Sequence, residues 1–430
     1  MGDFESMMDL GWDSSKSAKE ADNPTDAHDT VAEDNGNEVD ALEAKSPSGP
    51  DHEPPASKGE SVGAERNPAS GATTVPSSHN RITTTVIPSE GASQMPEGAV
   101  KLGKGLDIGT ANIVSAIQND KGGITIQMER NAFIDIKSDV YSKKMLTQLK
   151  VPYVMYNDKM IVIGDAAFEL SNIFGRETRR PMRDGLISPD EVDALPMIRL
   201  IIEKVLGVPQ AEEENLYFSV PAASIDRQNN IIYHQGLFEG MLRKMGYRPK
   251  ALNEGHAVVF AELAEQDFTG IGISCGGGMV NVCVCYKTIP AVTFSISRGG
   301  DWIDKNVANV LGINATKATF LKEQGVDLTR PRNREEEAIV IYYRNLINYI
   351  LQNIRSRFEV TSDIPEFRDP IEIVASGGTS MIQGFEEVFA DELQKVKLPL
   401  KISCVRRASE PLTSVAKGCL IAAAISDPDE

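Results

Sequence analysis

From Lys101 onward the apolar residues follow two periods. Two short segments, LDIGTANIVSAIQ at 106–118 and GISCGGGMVNVCVC at 272–285, each set a glycine turn between two apolar runs of strand length, which predicts a pair of strand hairpins. GITIQMERNAF extends the first pair into a meander through a turn at 120–123, and the loop-rich stretch 131–178 holds a further short pair, VPYVMYND and KMIVIGD. Helical spacing takes over at Leu195, Ile198, Ile202, Val205 and Leu206, introduced by a start signature at Ser188, Pro189, Asp190 and Glu191 and closed by Gly207. ENLYFSVPAA predicts a buried strand, followed by a helix over 224–245 that ends at Gly246 and carries Asp226 in its first turn. The later half repeats the scheme. After the second hairpin, FSISRGGDWIDKNVANVLG reads as a turn and a helix, and a Lys- and Arg-rich connector follows. Ile339, Tyr343, Leu346, Ile350, Ile354 and Phe358 then share one face of a long helix. IEIVASGGTSMIQGFEEVFADEL adds strand, glycine turn and helix, and PLTSVAKGCLIAAAI a closing helix of small residues. The predicted class is α/β, in two similar halves.

The first 96 residues share none of this patterning. They carry 18 acidic and 6 basic side chains with hardly any aromatics, too little apolar surface to offset the entropy of ordering, so they are expected to form a disordered acidic tail. Its extreme tip is different, because Phe4, Met7, Met8, Leu10 and Trp12 cluster there. The cluster reads either as a docking motif for an adaptor protein or as a sticky terminus. Residues 97–430 hold 44 acids and 38 bases, a balance with no basic stripe, which argues against nucleic acid as a partner. Cys275, Cys283, Cys285, Cys404 and Cys419 fall in or beside apolar runs and are expected to be buried thiols of a reducing compartment; the spacing of the first three matches no zinc pattern. No apolar run of membrane-spanning length and no secretory signal is present, so the expected location is cytoplasmic, with membrane association left undetermined.

A glycine turn lets backbone N–H groups approach an anion, and two such turns facing each other form a clamp for a polyphosphate. Together with their flanking motifs, residues 99 to about 425 resemble the actin-like ATPase family, in particular its bacterial MreB and MamK filament branch. LDIGTANI is similar to the family's first phosphate motif, SVPAASID to its first connecting motif, CGGGMVNV to its second phosphate motif, VASGGTSMIQGFEEV to its adenosine motif and TSVAKGCLIAA to its second connecting motif. RPMRDGLIS at 180–188 is similar to a segment of the MreB and MamK branch. The resemblance implies an actin-like fold, two RNase H-like α/β domains flanking a nucleotide cleft. Domain I would span 97–246 with a smaller insert at about 131–178. Domain II would span 247–430 with an insert at about 301–345, its C-terminal helix returning to domain I. The implied function is that of a cytoskeletal protein that binds ATP with Mg²⁺, polymerises with itself and hydrolyses ATP slowly. The alternative is a scaffold or adaptor of the same fold with little or no ATPase activity. A chaperone fits less well because the chain ends about where the ATPase core ends, and a sugar kinase because of RPMRDGLIS.

The resemblance also assigns residues. Gly109, Thr110, Ala111 and Asn112 would meet the terminal phosphates, and Asp107 would hold Mg²⁺ through water and serve catalysis. Gly276, Gly277 and Gly278 keep the second backbone cradle, but Ser274 stands where the family has Asp, Met279 near its Thr, and Asn281 where it has a second Asp, which should impair hydrolysis more than binding. Asp226 takes the place of a Glu that orients the attacking water, although an acid in a first helical turn also has a dipole explanation. Glu254 resembles the acid of a Glu-Pro segment beside the nucleotide, with Gly255 in place of Pro. Gly299, Gly300 and Asp301, with Gly377, Gly378 and Thr379, would line the base and ribose. Lys317 and Lys322 read either as adenine-side lysines or as solvated helix residues.

Overall fold

The computed structural model describes residues 103–425, apart from 120, 121, 175, 229, 362 and 363. The acidic tail, the cluster from Phe4 to Trp12 and part of the turn at 120–123 lie outside the described residues. The first glycine turn joins β1 (Lys104–Ile108) to β2 (Asn112–Gln118), and β3 (Ile124–Arg130) completes an antiparallel meander. Strand alternation sends Leu106, Ile108 and Ile113 into one buried layer and Val114, Ala116 and Ile126 into another, so both faces of the sheet are covered.

The insert at 131–178 is more ordered than its sequence suggests. β4 (Phe133–Lys137), α1 (Val140–Gln148), β5 (Val154–Tyr156), β6 (Lys159–Ile163) and α2 (Asp165–Ile173) enclose their own small core, with the anticipated pair β5–β6 joined by β4 on the other edge of β6. A two-residue ladder of β7 (Met182–Arg183) and β8 (Leu186–Ile187) follows. The helix expected to start at Ser188 begins later, as α3 (Ala194–Leu206). The signature fails because its acid is used elsewhere: Glu191 pairs with Arg179, and the Ser188 N–H donates to the Pro181 carbonyl.

β9 (Glu214–Val220), α4 (Ile231–Lys244) and β10 (Tyr247–Asn253) close the first sheet in the order β10-β9-β1-β2-β3, with β9 and β10 parallel to β1. Two expectations change here. The helix predicted over 224–245 starts at Ile231, so Asp226 lies in the loop before it, and the strand through Asn253 belongs to the first sheet, past the boundary placed at 246.

α5 (Glu254–Glu262) leads into β11 (Gly270–Cys275), β12 (Val280–Tyr286) and β13 (Ile289–Ile296), then α6 (Gly300–Leu311), α7 (Ala315–Glu323) and α8 (Arg334–Val360). β14 (Ile371–Ser376), α9 (Phe385–Lys395), β15 (Ile402–Arg407) and α10 (Ser414–Ile425) finish the lobe. The second sheet runs β13-β12-β11-β14-β15, the topology of the first repeated strand for strand, as two similar halves require. Asn333 caps α8 by accepting from the Glu336 N–H, three glutamates follow in the first turn, and Ile339, Tyr343, Leu346, Ile350 and Ile354 are buried as their spacing predicts. Each such side chain contributes roughly 1.5–3 kcal/mol of burial. β15, which the sequence pattern does not announce, is a parallel edge strand and carries Cys404, the one cysteine that is exposed; the other four are buried as expected.

The lobes meet through α5 and α10. A Cβ on Gly418 would stand 1.8 Å from the Ala257 carbonyl oxygen, and one on Gly105 would stand 2.1 Å from that of Ala416. The small residues of the closing helix therefore let three backbones pack against one another.

Candidate functional site

The two hairpin turns are built alike. In the first the Gly109 N–H donates to the Asn112 carbonyl at 3.0 Å, and in the second the Gly276 N–H donates to the Met279 carbonyl at 2.9 Å. With Ile108 paired to Ile113 and Cys275 to Val280, Ser274 occupies the place of Asp107, and Met279 that of Asn112. Among the described residues, the N–H groups of Thr110, Ala111, Gly277 and Gly278 have no protein acceptor. Both turns open onto one cleft with a volume of about 690 Å³.

Two carboxylates lie at its floor. Asp107 accepts from the Ser219 hydroxyl at 2.7 Å, and Glu254, the first residue of α5, accepts from the Ser274 hydroxyl at 2.9 Å. Burial pushes Asp107 up to about 6 against the pull of Ser219. Burial and the neighbouring charge of Asp107 push Glu254 up to about 8. Asn131 reaches the same cleft at the end of β3; its Nδ2 donates to the Gly109 carbonyl, while its Oδ1 is buried with no donor. Two half-buried carboxylates held by one hydroxyl each, an unpartnered buried acceptor and four free N–H groups form a donor set that fits a polyphosphate with a divalent cation. Asp107 and Glu254 are the groups that could hold the cation.

The remaining walls come from the second lobe. The Gly300 N–H donates to the Gly276 carbonyl at 3.1 Å, and the Asp301 N–H to the Gly277 carbonyl at 2.9 Å, so the N-terminus of α6 is bonded to the second hairpin. Thr379 donates its hydroxyl to the same Gly276 carbonyl at 2.9 Å. Gly377 has φ +88°, and a Cβ there would stand 2.4 Å from the Cys275 carbonyl oxygen, so this turn requires glycine twice over. Gly299 packs on the Gly276 and Gly277 carbonyls from behind, while Gly300, Asp301, Gly377, Gly378 and Thr379 line the cleft itself.

The structure therefore brings together Asp107, the turn 109–112, Glu254, the turn 276–278 and the residues around 300 and 378. It does not bring Asp226 to them. The segment 222–226 crosses to the second lobe and zips onto the end of β13. The Ala222 N–H donates to Asn281 Oδ1 at 2.8 Å, the Ile225 N–H to the Ser295 carbonyl at 3.0 Å, and the Ser297 N–H to Asp226 Oδ1 at 2.8 Å. Asp226 is thus occupied outside the cleft lining.

Lys322, for which a solvated reading is open in the sequence, is enclosed in the wall. It pairs with Asp304 at 2.8 Å, their side chains only 14% and 7% exposed, whereas Lys317 is exposed. Sequence reasoning misses Arg130, Asn131, Thr178 and Asp304 in the lining. Arg180 and Gly185 also line it, although their segment RPMRDGLIS stands out in the sequence only as a branch signature. The Gly185 N–H donates to the Thr110 hydroxyl at 3.1 Å, so this segment touches the first phosphate turn directly.

The family described as Volactin matches residues 102–423. No curated protein sequence matches the chain. Among solved structures, a MamK double helical filament is similar at a TM-score of 0.60 and 19% identity, covering 75% of this chain and 99% of that one. MreB5 of Spiroplasma citri bound to ADP gives 0.53 at 17% identity, covering 73% and 94%. Human actin-related protein Arp8 in its ATP-bound state gives 0.55 at 11% identity, covering 75% and 91%. The fold is the actin fold. Among the described residues no helix is long and apolar enough to cross a membrane.

Proposed function

The chain belongs to the Volactin family, and from that premise we propose that it binds ATP with Mg²⁺ in the cleft and assembles head to tail into filaments. The observation that carries the reading is the pair of like-built glycine turns, four of whose N–H groups are free, facing a floor of two half-buried carboxylates. The turns would hold the phosphates by backbone donors, and Asp107 and Glu254 would hold the cation. Mg²⁺ when bound supplies charge neutralisation for the phosphates. Solved actin-fold relatives lend support, since the MamK structure is a double helical filament and the MreB5 structure holds ADP. A head-to-tail contact that does not close gives an open filament. The cytoplasm is the compartment that supplies such a nucleotide.

A second reading, tight binding with little hydrolysis, is favoured by three features. Ser274 gives its hydroxyl to Glu254 in place of a carboxylate. Met279 puts a thioether in the lining. Asp226 is held against Ser297, away from the nucleotide space. One preparation tests both readings. With MgATP, nucleotide-dependent pelleting together with phosphate release supports the filament ATPase. Pelleting or tight binding without phosphate release supports the second reading, and no nucleotide binding at all refutes both.

A further inference from the structure

Arginines crowd the segment that leads from the insert to β7, and nearly all of them are spoken for. Arg176 faces Asp135 at 3.8 Å, Arg179 pairs with Glu191 and Asp193, and Arg183 meets Asp190 at 2.9 Å. Arg130, which also lines the cleft, is bonded to Asp165 at 2.9 Å and stacked on Phe168. Arg180 differs. Among the described residues it has no ion-pair or hydrogen-bond partner, and it lines the cleft.

The backbone around it is held in place. The Arg179 N–H and carbonyl both exchange bonds with Phe133, at 2.8 and 3.0 Å, and the Pro181 carbonyl accepts from the Ser188 N–H at 2.9 Å. In an extended stretch successive side chains point to opposite sides. Arg179 accordingly lies over the Phe133 ring with its guanidinium on Glu191, and Arg180 takes the cleft side. The same segment then bonds to the first phosphate turn through Gly185 and Thr110. A guanidinium left unneutralised by the protein, on a fixed backbone, in a cleft whose free N–H groups already suit phosphate, matches an anion of planar, multidentate acceptors.

We propose that Arg180 is the group that distinguishes a nucleoside triphosphate from a diphosphate, by meeting the terminal phosphoryl oxygens from the first-lobe wall. The inference rests on nucleotide binding as proposed above and adds what that reading leaves open, namely which side chain registers the last phosphate. Through the Phe133 bridge, occupancy of that position is passed to β4 and the insert.

Binding of the non-hydrolysed analogue AMPPNP and of ADP, both with Mg²⁺, is measured by calorimetry on the full chain and on Arg180→Ala and Arg180→Lys. Hydrogen bonds to charged groups set the scale, so Arg180→Ala is expected to weaken AMPPNP binding by about tenfold or more while ADP changes by less than about twofold. Arg180→Lys, which keeps the charge but loses the fork, should fall between. Amide exchange at 133–137 should be slower with AMPPNP than with ADP in the parent chain and equal in Arg180→Ala. If the parent chain binds nucleotide and both variants keep its AMPPNP-to-ADP ratio, the role of Arg180 is refuted while the cleft reading stands. If the parent chain binds neither ligand, the cleft reading itself is wrong and this inference goes with it.

Discussion

Ser274→Asp restores an acid beside Glu254, and the geometry fixes what that costs. The Ser274 hydroxyl is 2.9 Å from Glu254 Oε2, so a carboxylate there stands within about 4 Å, where two like charges at an effective dielectric of 20 repel by about 4 kcal/mol. The repulsion is absent while the pair shares a proton, and Glu254 is already pushed up to about 8. An acid whose pKa is raised on folding loses stability as pH climbs from its unfolded value, near 4, through its folded value, at about 1.4 kcal/mol for each pH unit crossed. The variant should therefore match the parent chain to within about 1 kcal/mol at pH 5 without metal and fall behind by about 2–4 kcal/mol at pH 8.5, several degrees in Tm. Mg²⁺ with ADP should close the deficit, because the added carboxylate then faces a cation. Thermal melts at the two pH values, in chelator and in MgADP, read both effects. A deficit equal at both pH values, or none at all, would mean that Ser274 and Glu254 do not share a site. Under the low-hydrolysis reading the same variant also releases phosphate from MgATP faster than the parent chain.

In the parent chain, Mg²⁺ must displace protons from Asp107 and Glu254, whose pKa values are both raised, so its affinity should increase from pH 6 to pH 8 by up to about tenfold per pH unit for each proton released. Calorimetry in buffers of different ionisation enthalpy counts those protons, and a pH-independent affinity contradicts the carboxylate floor. Gly418→Val forces a Cβ to within 1.8 Å of the Ala257 carbonyl, which has no flexible end to yield, and should cost about 3 kcal/mol or more; an unchanged urea midpoint would show the crossing to be looser. Deleting residues 1–96 should leave the nucleotide dissociation constant unchanged, and a loss of binding would place part of the tail within the fold.

What could be read from the chain was what backbone chemistry demands. The turns at 109–112 and 276–278 were legible because a tight strand turn that bares its N–H groups needs glycine, and the closing helix around Gly418 was legible as a run of small residues, whereas its close approach to Ala257 was not. The long face of α8 was legible because a helix of that length repeats its period many times. Side-chain destinations were not. Glu191 has the spacing of a capping acid, yet Arg179 holds it, and Asp226 has the place of a first-turn acid because no local signal tells that 222–226 zips onto the end of β13. Lys322 and Asp304 are eighteen residues apart, and nothing in either neighbourhood foretells their pairing. β15 escaped notice because an edge strand with Cys404, Arg406 and Arg407 half in solvent lacks the apolar run of a central one.

The contact between Gly418 and the Ala257 carbonyl joins the lobes backbone to backbone, and side chains of both helices, among them Val259, Phe260, Val415 and Cys419, pack around that point. The cleft walls, with Arg180 on one and Lys322 on the other, belong to the two lobes that this crossing joins. A single added methyl group at position 418 therefore acts outside the cleft, at the joint that holds its two walls together.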